Sequence, residues 1–139
     1  MIKTIPMQFI QYMNFFERCI GLRTKDCFSY NGTIIFVVQP KFVARVIGES
    51  GSNVRKLSER LRRRVKIVAG PSSIKDVEKF ISSIVYPLKF KKLVVEGDEI
   101  TIFAPPQSKA LLIGRNKIKM TELADILKSY FNIRKLKIL

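Results

Sequence analysis

A set of marker residues recurs along the chain at a spacing of about 65 to 66 positions, and this repeat limits the possible folds more than any other feature. Gly32 answers to Gly97, Pro40 to Pro106, Ile47 to Ile113, Gly48 to Gly114 and Leu57 to Leu123. Each half reads helix, strand, strand, short helix, glycine turn, helix, strand. A chain of 139 residues built this way is a tandem duplication, with one domain over 1–70 and a second over 71–139. Ala69-Gly70-Pro71-Ser72 is the junction. The fold class expected is α+β, each half a small sheet with helices.

Periodicity places the elements. Phe9, Met13, Phe16 and Ile20 fall at helical spacing between Ile5 and Ile20, with Gly21 as the stop. Asn31-Gly32 between Cys27-Phe28-Ser29-Tyr30 and Thr33-Ile34-Ile35-Phe36-Val37-Val38 is a strong hairpin signal. The second of these strands is apolar almost throughout, which predicts a central strand covered on both sides. Pro40 opens a short helix that ends at Gly48. After the glycine turn, Val54, Leu57 and Leu61 form an apolar stripe, while Arg55, Lys56, Arg60, Arg62 and Arg63 lie on the other face. Val65-Lys66-Ile67-Val68 alternates like a half-buried strand. In the second half, Ser73 caps a helix with the stripe Ile74, Val77, Ile81 and Ile84, stopped near Pro87. Strands at Leu93–Val95 and Ile100–Phe103 flank a turn at Glu96 to Glu99. A helix over 107–113, the turn Gly114-Arg115-Asn116-Lys117, a helix burying Leu123, Leu127 and Phe131, and a strand over 136–139 complete the repeat.

Charge and missing side chains narrow the function. With 26 Lys+Arg against 11 Asp+Glu, the net charge of +15 is an electrostatic footprint for a polyanion, usually nucleic acid. The plainer reading is a solvated basic surface. There is no histidine, so the commonest general acid/base and metal ligand are both missing, and an enzyme is not expected. Cys19 and Cys27 lack partners for a zinc set and read as buried small hydrophobes without a structural disulfide. Glu96, Asp98 and Glu99 read as a solubilised turn. Neither a metal nor another cofactor is expected. No apolar run nears the roughly 20 residues of a membrane span. Met1-Ile2-Lys3-Thr4-Ile5-Pro6 lacks a signal-peptide layout, so a cytoplasmic protein with no membrane partner is the expectation. A monomer is the default oligomeric state.

A short apolar helix, then Val46-Ile47-Gly48-Glu49-Ser50-Gly51-Ser52-Asn53-Val54, a basic helix and a strand resembles the KH RNA-binding module. Two strands before the glycine turn and one after match the prokaryotic (type II) arrangement. Two such modules over residues 1 to 139 resemble the archaeal NusA-like proteins, with Leu112-Ile113-Gly114-Arg115-Asn116-Lys117 as the weaker second copy. The resemblance implies a three-stranded sheet with helices on one face of each module. It also implies a groove holding about four nucleotides of single-stranded RNA. RNA polymerase is the implied protein partner, and transcription elongation, termination or antitermination the implied process.

The resemblance assigns RNA contact to Ile47, Gly48, Glu49, Ser50, Gly51, Ser52, Asn53, Arg55, Lys56 and Arg60 in the first module. In the second it assigns Gly114, Arg115, Asn116, Lys117 and Lys119. Glycine would let the sugar–phosphate chain come close, and the amides of Ser50, Gly51 and Ser52 would meet phosphate oxygens at a helix N-terminus. Ile47 and Val54 would form an apolar floor for bases, and Asn53 would bond a base edge or sugar. Two positions depart from the motif. Glu49 sets a carboxylate beside phosphate, so it points to solvent, pairs with an arginine, or marks a weak contact. Lys117 replaces the last glycine, which predicts loss of close backbone approach there, with Arg115 and Lys117 holding phosphate by charge instead. A ribosome-associated or ribosome-assembly KH protein and a polymerase-docking adapter with vestigial grooves are the competing readings. The plainest alternative for both loops is a helical corner kept for packing.

Overall fold

The computed structural model describes residues 5–139; Met1 to Thr4, part of the stretch read for a signal peptide, lie outside the described residues. The chain divides into two units of α+β architecture at Gly70 and Pro71.

In the first unit, helix α1 (Met7–Ile20) is closed by Gly21 in the left-handed conformation at φ 80°, its N–H donating to the Glu17 carbonyl at 2.8 Å. Strands β1 (Asp26–Tyr30) and β2 (Thr33–Val38) pair antiparallel around Asn31-Gly32. Both turn residues take positive φ, 51° and 74°, as a two-residue hairpin matched to strand twist requires. After α2 (Val43–Ile47) and α3 (Ser52–Leu61), strand β3 (Val65–Ala69) pairs parallel to β2, placing Ile34 opposite Val65. The order β1-β2-β3 puts the apolar strand in the centre, and Ile34 through Val38 are all buried, as the continuous apolar run predicts.

Phe16 from α1, Ile34, Phe36 and Val38 from β2, Val46 from α2, Leu57 from α3 and Ile67 from β3 form the core. The rings of Phe16 and Phe36 sit 4.8 Å apart between centroids. Truncating a fully buried aromatic here removes its transfer free energy and leaves a cavity the neighbours fill only in part. Phe36→Ala is therefore expected to cost about 3–5 kcal/mol, readable as a lowered urea midpoint. Wild-type stability in that variant would contradict this core.

The second unit repeats the plan. After a 3₁₀ turn come α4 (Val77–Val85), β4 (Lys92–Glu96), β5 (Glu99–Phe103), α5 (Pro106–Ile113), α6 (Ile118–Phe131) and β6 (Lys135–Ile138). The sheet order is β4-β5-β6, again with one antiparallel and one parallel pairing. Ser73 accepts from the Lys75 N–H at 3.2 Å, the expected cap. Asp76 accepts from the Ser72 N–H and hydroxyl, which hold its carboxyl below the usual range. The stripe differs from expectation at one place. Ile74 falls in the 3₁₀ turn ahead of α4 and is exposed, whereas Phe80 is buried against Tyr130 at 4.8 Å between ring centroids.

The strand registers also correct the repeat by one residue at the hairpin. Tyr30 faces Thr33 across Asn31-Gly32, and Glu96 faces Glu99 across Gly97-Asp98. The structural counterpart of Gly97 is thus Asn31, and Gly32 corresponds to Asp98.

Cys19 is half-buried and Cys27 buried, both as free thiols. Burial, and then the neighbouring Asp26 charge, push the Cys27 thiol from 9.0 up to about 12. A thiol reagent at pH 8 is expected to modify Cys19 first and Cys27 only on unfolding, as peptide mass spectrometry would show. Because the folded state holds this proton more tightly, the associated stability is intact below pH 9 and is lost as pH rises towards 12. Prompt labelling of Cys27 would refute its burial.

Candidate nucleic-acid interface

Two buried side chains fix each glycine loop from below. Val46 at the end of α2 and Leu57 in α3 are fully buried in the first unit, as Leu112 in α5 and Leu123 in α6 are in the second. The connection between the helices is therefore held at both ends.

The two loops then trace the same backbone. Gly48 sits at φ 81°, ψ 171° and Gly114 at φ 75°, ψ 172°. This is a region essentially closed to residues with a Cβ. Next come Ser50 at φ 53°, ψ 30° and Asn116 at φ 55°, ψ 28°. The last position is left-handed in both, Gly51 at φ 74°, ψ 20° and Lys117 at φ 60°, ψ 23°. The lysine leaves the course of the turn unchanged. Left-handed φ costs an ordinary residue about 1–2 kcal/mol, an amount the surrounding packing can impose. What Lys117 changes is the side chain added at that surface, not the course of the main chain.

Hydrogen bonding corrects the expectation of free loop amides. The Gly51 N–H donates to the Gly48 carbonyl at 3.1 Å, and the Ser52 N–H donates to the Glu49 carbonyl. Two of the three amides assigned to phosphate are thus spent inside the loop. The second loop does the same, Lys117 N–H to the Gly114 carbonyl at 3.2 Å and Ile118 N–H to the Arg115 carbonyl. The exposed side chains carry most of what a phosphate would meet.

Those side chains differ between units. In the first, Arg55 donates from Nη1 to the Ser50 carbonyl and stiffens the loop, with Lys56 and Arg60 exposed further along α3. Glu49 is exposed and makes no ion pair among the described residues, so it faces solvent. Asn53 turns Nδ2 towards the Arg45 carbonyl at 3.4 Å, beneath Gly48, and its amide donor is directed at α2. Ile47 and Val54 are half-buried against the core, leaving only part of each for a floor. In the second loop Arg115, Asn116 and Lys117 are exposed. Lys119 occupies the Asn53 position, and its Cβ and Cγ lie where a side chain on Gly114 would go, at 3.2 and 2.9 Å. Two apolar residues at this loop escaped the sequence reading. Leu111 is 50% exposed and Ile118 57% exposed, at the positions of Arg45 and Ser52. Their signal was available in the repeat itself, because each replaces a polar residue at a site that does not face the core.

Each unit therefore sets a three-stranded sheet, three helices and an αL-rich turn in the order of a KH-like module, and the pair is consistent with tandem KH-like domains. Similarity to a particular protein is more distant. Over 133 residues the chain is 21% identical to the probable transcription termination protein NusA of Methanococcus vannielii, covering 93% of this chain and 75% of that protein. No family model matches. Among solved structures, the crystal structure of APE1850 superposes with a TM-score of 0.67 at 20% identity, over 97% of this chain and 100% of that one. That likeness concerns the fold. Among the described residues no helix is long and apolar enough to cross a membrane, and no group of acidic or cysteine residues could hold a metal ion.

Proposed function

We propose that this chain binds single-stranded RNA through two type II KH grooves, without catalysis, and acts in transcription elongation, termination or antitermination. The observation that carries the reading is the repeated loop conformation. A strained turn, a glycine at positive φ followed one residue later by two consecutive left-handed residues, is kept in both units, even where its last residue is lysine. Packing alone gives no reason to keep the strain twice, and strained backbone collects where a ligand is met. The two strands before the turn and the parallel third strand support the type II assignment. The similarity to a probable termination protein supports transcription as the setting, with RNA polymerase as protein partner.

The test is a titration of short single-stranded RNAs over a salt series. Affinity should fall with salt by a slope of about 0.7 per phosphate contacted, and duplex RNA of equal length should bind less well. Failure to bind any single-stranded RNA at low salt would refute the reading. Affinity capture from a cell extract then separates polymerase from ribosome as the site of action.

A further inference from the structure

The end of α3 remote from the glycine loop carries a second charged surface. Arg60, Arg62, Arg63 and Arg64 are all exposed there, about 15 Å along the helix from Ser52 at 1.5 Å per residue. The turn holding them is stiff. Arg62 closes α3 in the left-handed conformation at φ 55°, and the Ser58 hydroxyl donates to the Arg63 carbonyl at 2.7 Å. Arg63 and Arg64 reach across to the β1–β2 hairpin, donating to the carbonyls of Gly32 at 3.5 Å and Asn31 at 3.4 Å. Carbonyl acceptors leave the guanidinium charge uncompensated. None of the four makes an ion pair among the described residues, and Glu59, one position before Arg60, makes none either.

The second unit shows the neutralised form of the same corner. Arg134, two residues before the Leu136 that faces Ile100, matches Arg63, two before the Val65 that faces Ile34. Its hairpin partner is Asp98, at the place of Gly32, and the two are paired at 3.8 Å. Lys137 is likewise paired with Glu99 at 2.9 Å. One hairpin carries carboxylates that neutralise its basic neighbours; the other does not.

We infer that the Arg62–Arg64 corner with the Asn31-Gly32 hairpin is a separate binding site for the phosphate backbone of RNA continuing beyond the first groove. This rests on the reading of the chain as an RNA-binding protein. An acidic protein partner fits less well, since protein interfaces need an apolar centre. None of the exposed large apolar residues of the described chain belongs to β1, β2, α3 or β3.

The experiment compares a single-stranded RNA of about four nucleotides, one groove's worth, with one of about twelve. In the variant with Arg62, Arg63 and Arg64 changed to glutamine, affinity for the longer RNA should fall about tenfold or more, and its salt slope should shrink by about 2. Binding of the shorter RNA should not change. Arg62→Gln alone, which touches neither hairpin carbonyl, should give about a third of the slope change with unaltered thermal unfolding. Unchanged binding of the longer RNA, or an equal loss on the shorter one, would overturn the site. So would loss of binding to a glutamate-rich peptide with RNA affinity intact. The Ser50→Asp, Gly51→Asp variant separates the two ideas. If it leaves the shorter RNA bound as before, the groove fails while the corner is judged by the longer RNA alone. A wild-type chain that binds neither length overturns both.

Discussion

Changing Ser50 and Gly51 together to aspartate is expected to lower affinity for a short single-stranded RNA by about a hundredfold, roughly 2.7 kcal/mol. A carboxylate about 4 Å from a phosphate is repelled by about 1 kcal/mol in water and about 4 at the lower effective dielectric near a protein surface. Two of them, partly screened by salt, fall in the expected range. The fold should tolerate the change. Ser50 already has φ 53°, and Lys117 shows that a side chain is accepted at the Gly51 position, where φ is 74°. Asn116→Asp with Lys117→Asp is expected to cost more, because it also removes a cation from the loop that lacks an acidic residue. Filter binding or fluorescence anisotropy, with far-UV circular dichroism as the folding control, reads both. A folded double variant with wild-type affinity would remove that loop from the interface.

The first glycine of each loop should behave differently from the last. At φ 81°, ψ 171°, Gly48 occupies backbone space that costs other residues about 1–3 kcal/mol. A Cβ added there would stand 2.8 Å from Ser52 Oγ and 2.9 Å from Asn53 Nδ2, both at side-chain ends able to swing away. Gly114→Ala meets worse neighbours. The new Cβ would lie 3.2 Å from the Lys119 Cβ and from its backbone nitrogen, neither of which can move without shifting α6. The expected order of destabilisation is Gly114→Ala at about 3 kcal/mol, Gly48→Ala at about 2, and Gly51→Ala at about 1. Urea unfolding of the three variants measures it. A Gly51→Ala chain less stable than Gly114→Ala would show that the strain has been placed at the wrong end of the turn.

Much of this architecture is legible in single residues. Asn31-Gly32 gave the hairpin and both of its positive φ values, Gly21 gave the end of α1, and the unbroken run Thr33–Val38 gave the central strand. The exposed loop residues stand where the motif puts them. The misreadings were made where hydrogen bonds and strand register, rather than residue type or spacing, set a residue's place. Ile74 fits a helical stripe by spacing yet precedes the helix, because the Ser72–Asp76 bonds draw the chain into a 3₁₀ turn first. Gly32 was matched with Gly97 by identity, but strand register pairs it with Asp98.

The order of elements, the duplication and the placing of two glycine turns before basic helices were determined by the sequence alone, since periodicity, turn chemistry and charge are local properties. Tertiary structure decided which loop amides remain free, whether Lys117 can hold a glycine's conformation, and which arginines lack a carboxylate partner. The reason is physical. A hydrogen bond or an ion pair belongs to two groups, and Arg63 and Arg134 differ only in what the sheet brings opposite them, a glycine carbonyl in one unit and a carboxylate in the other.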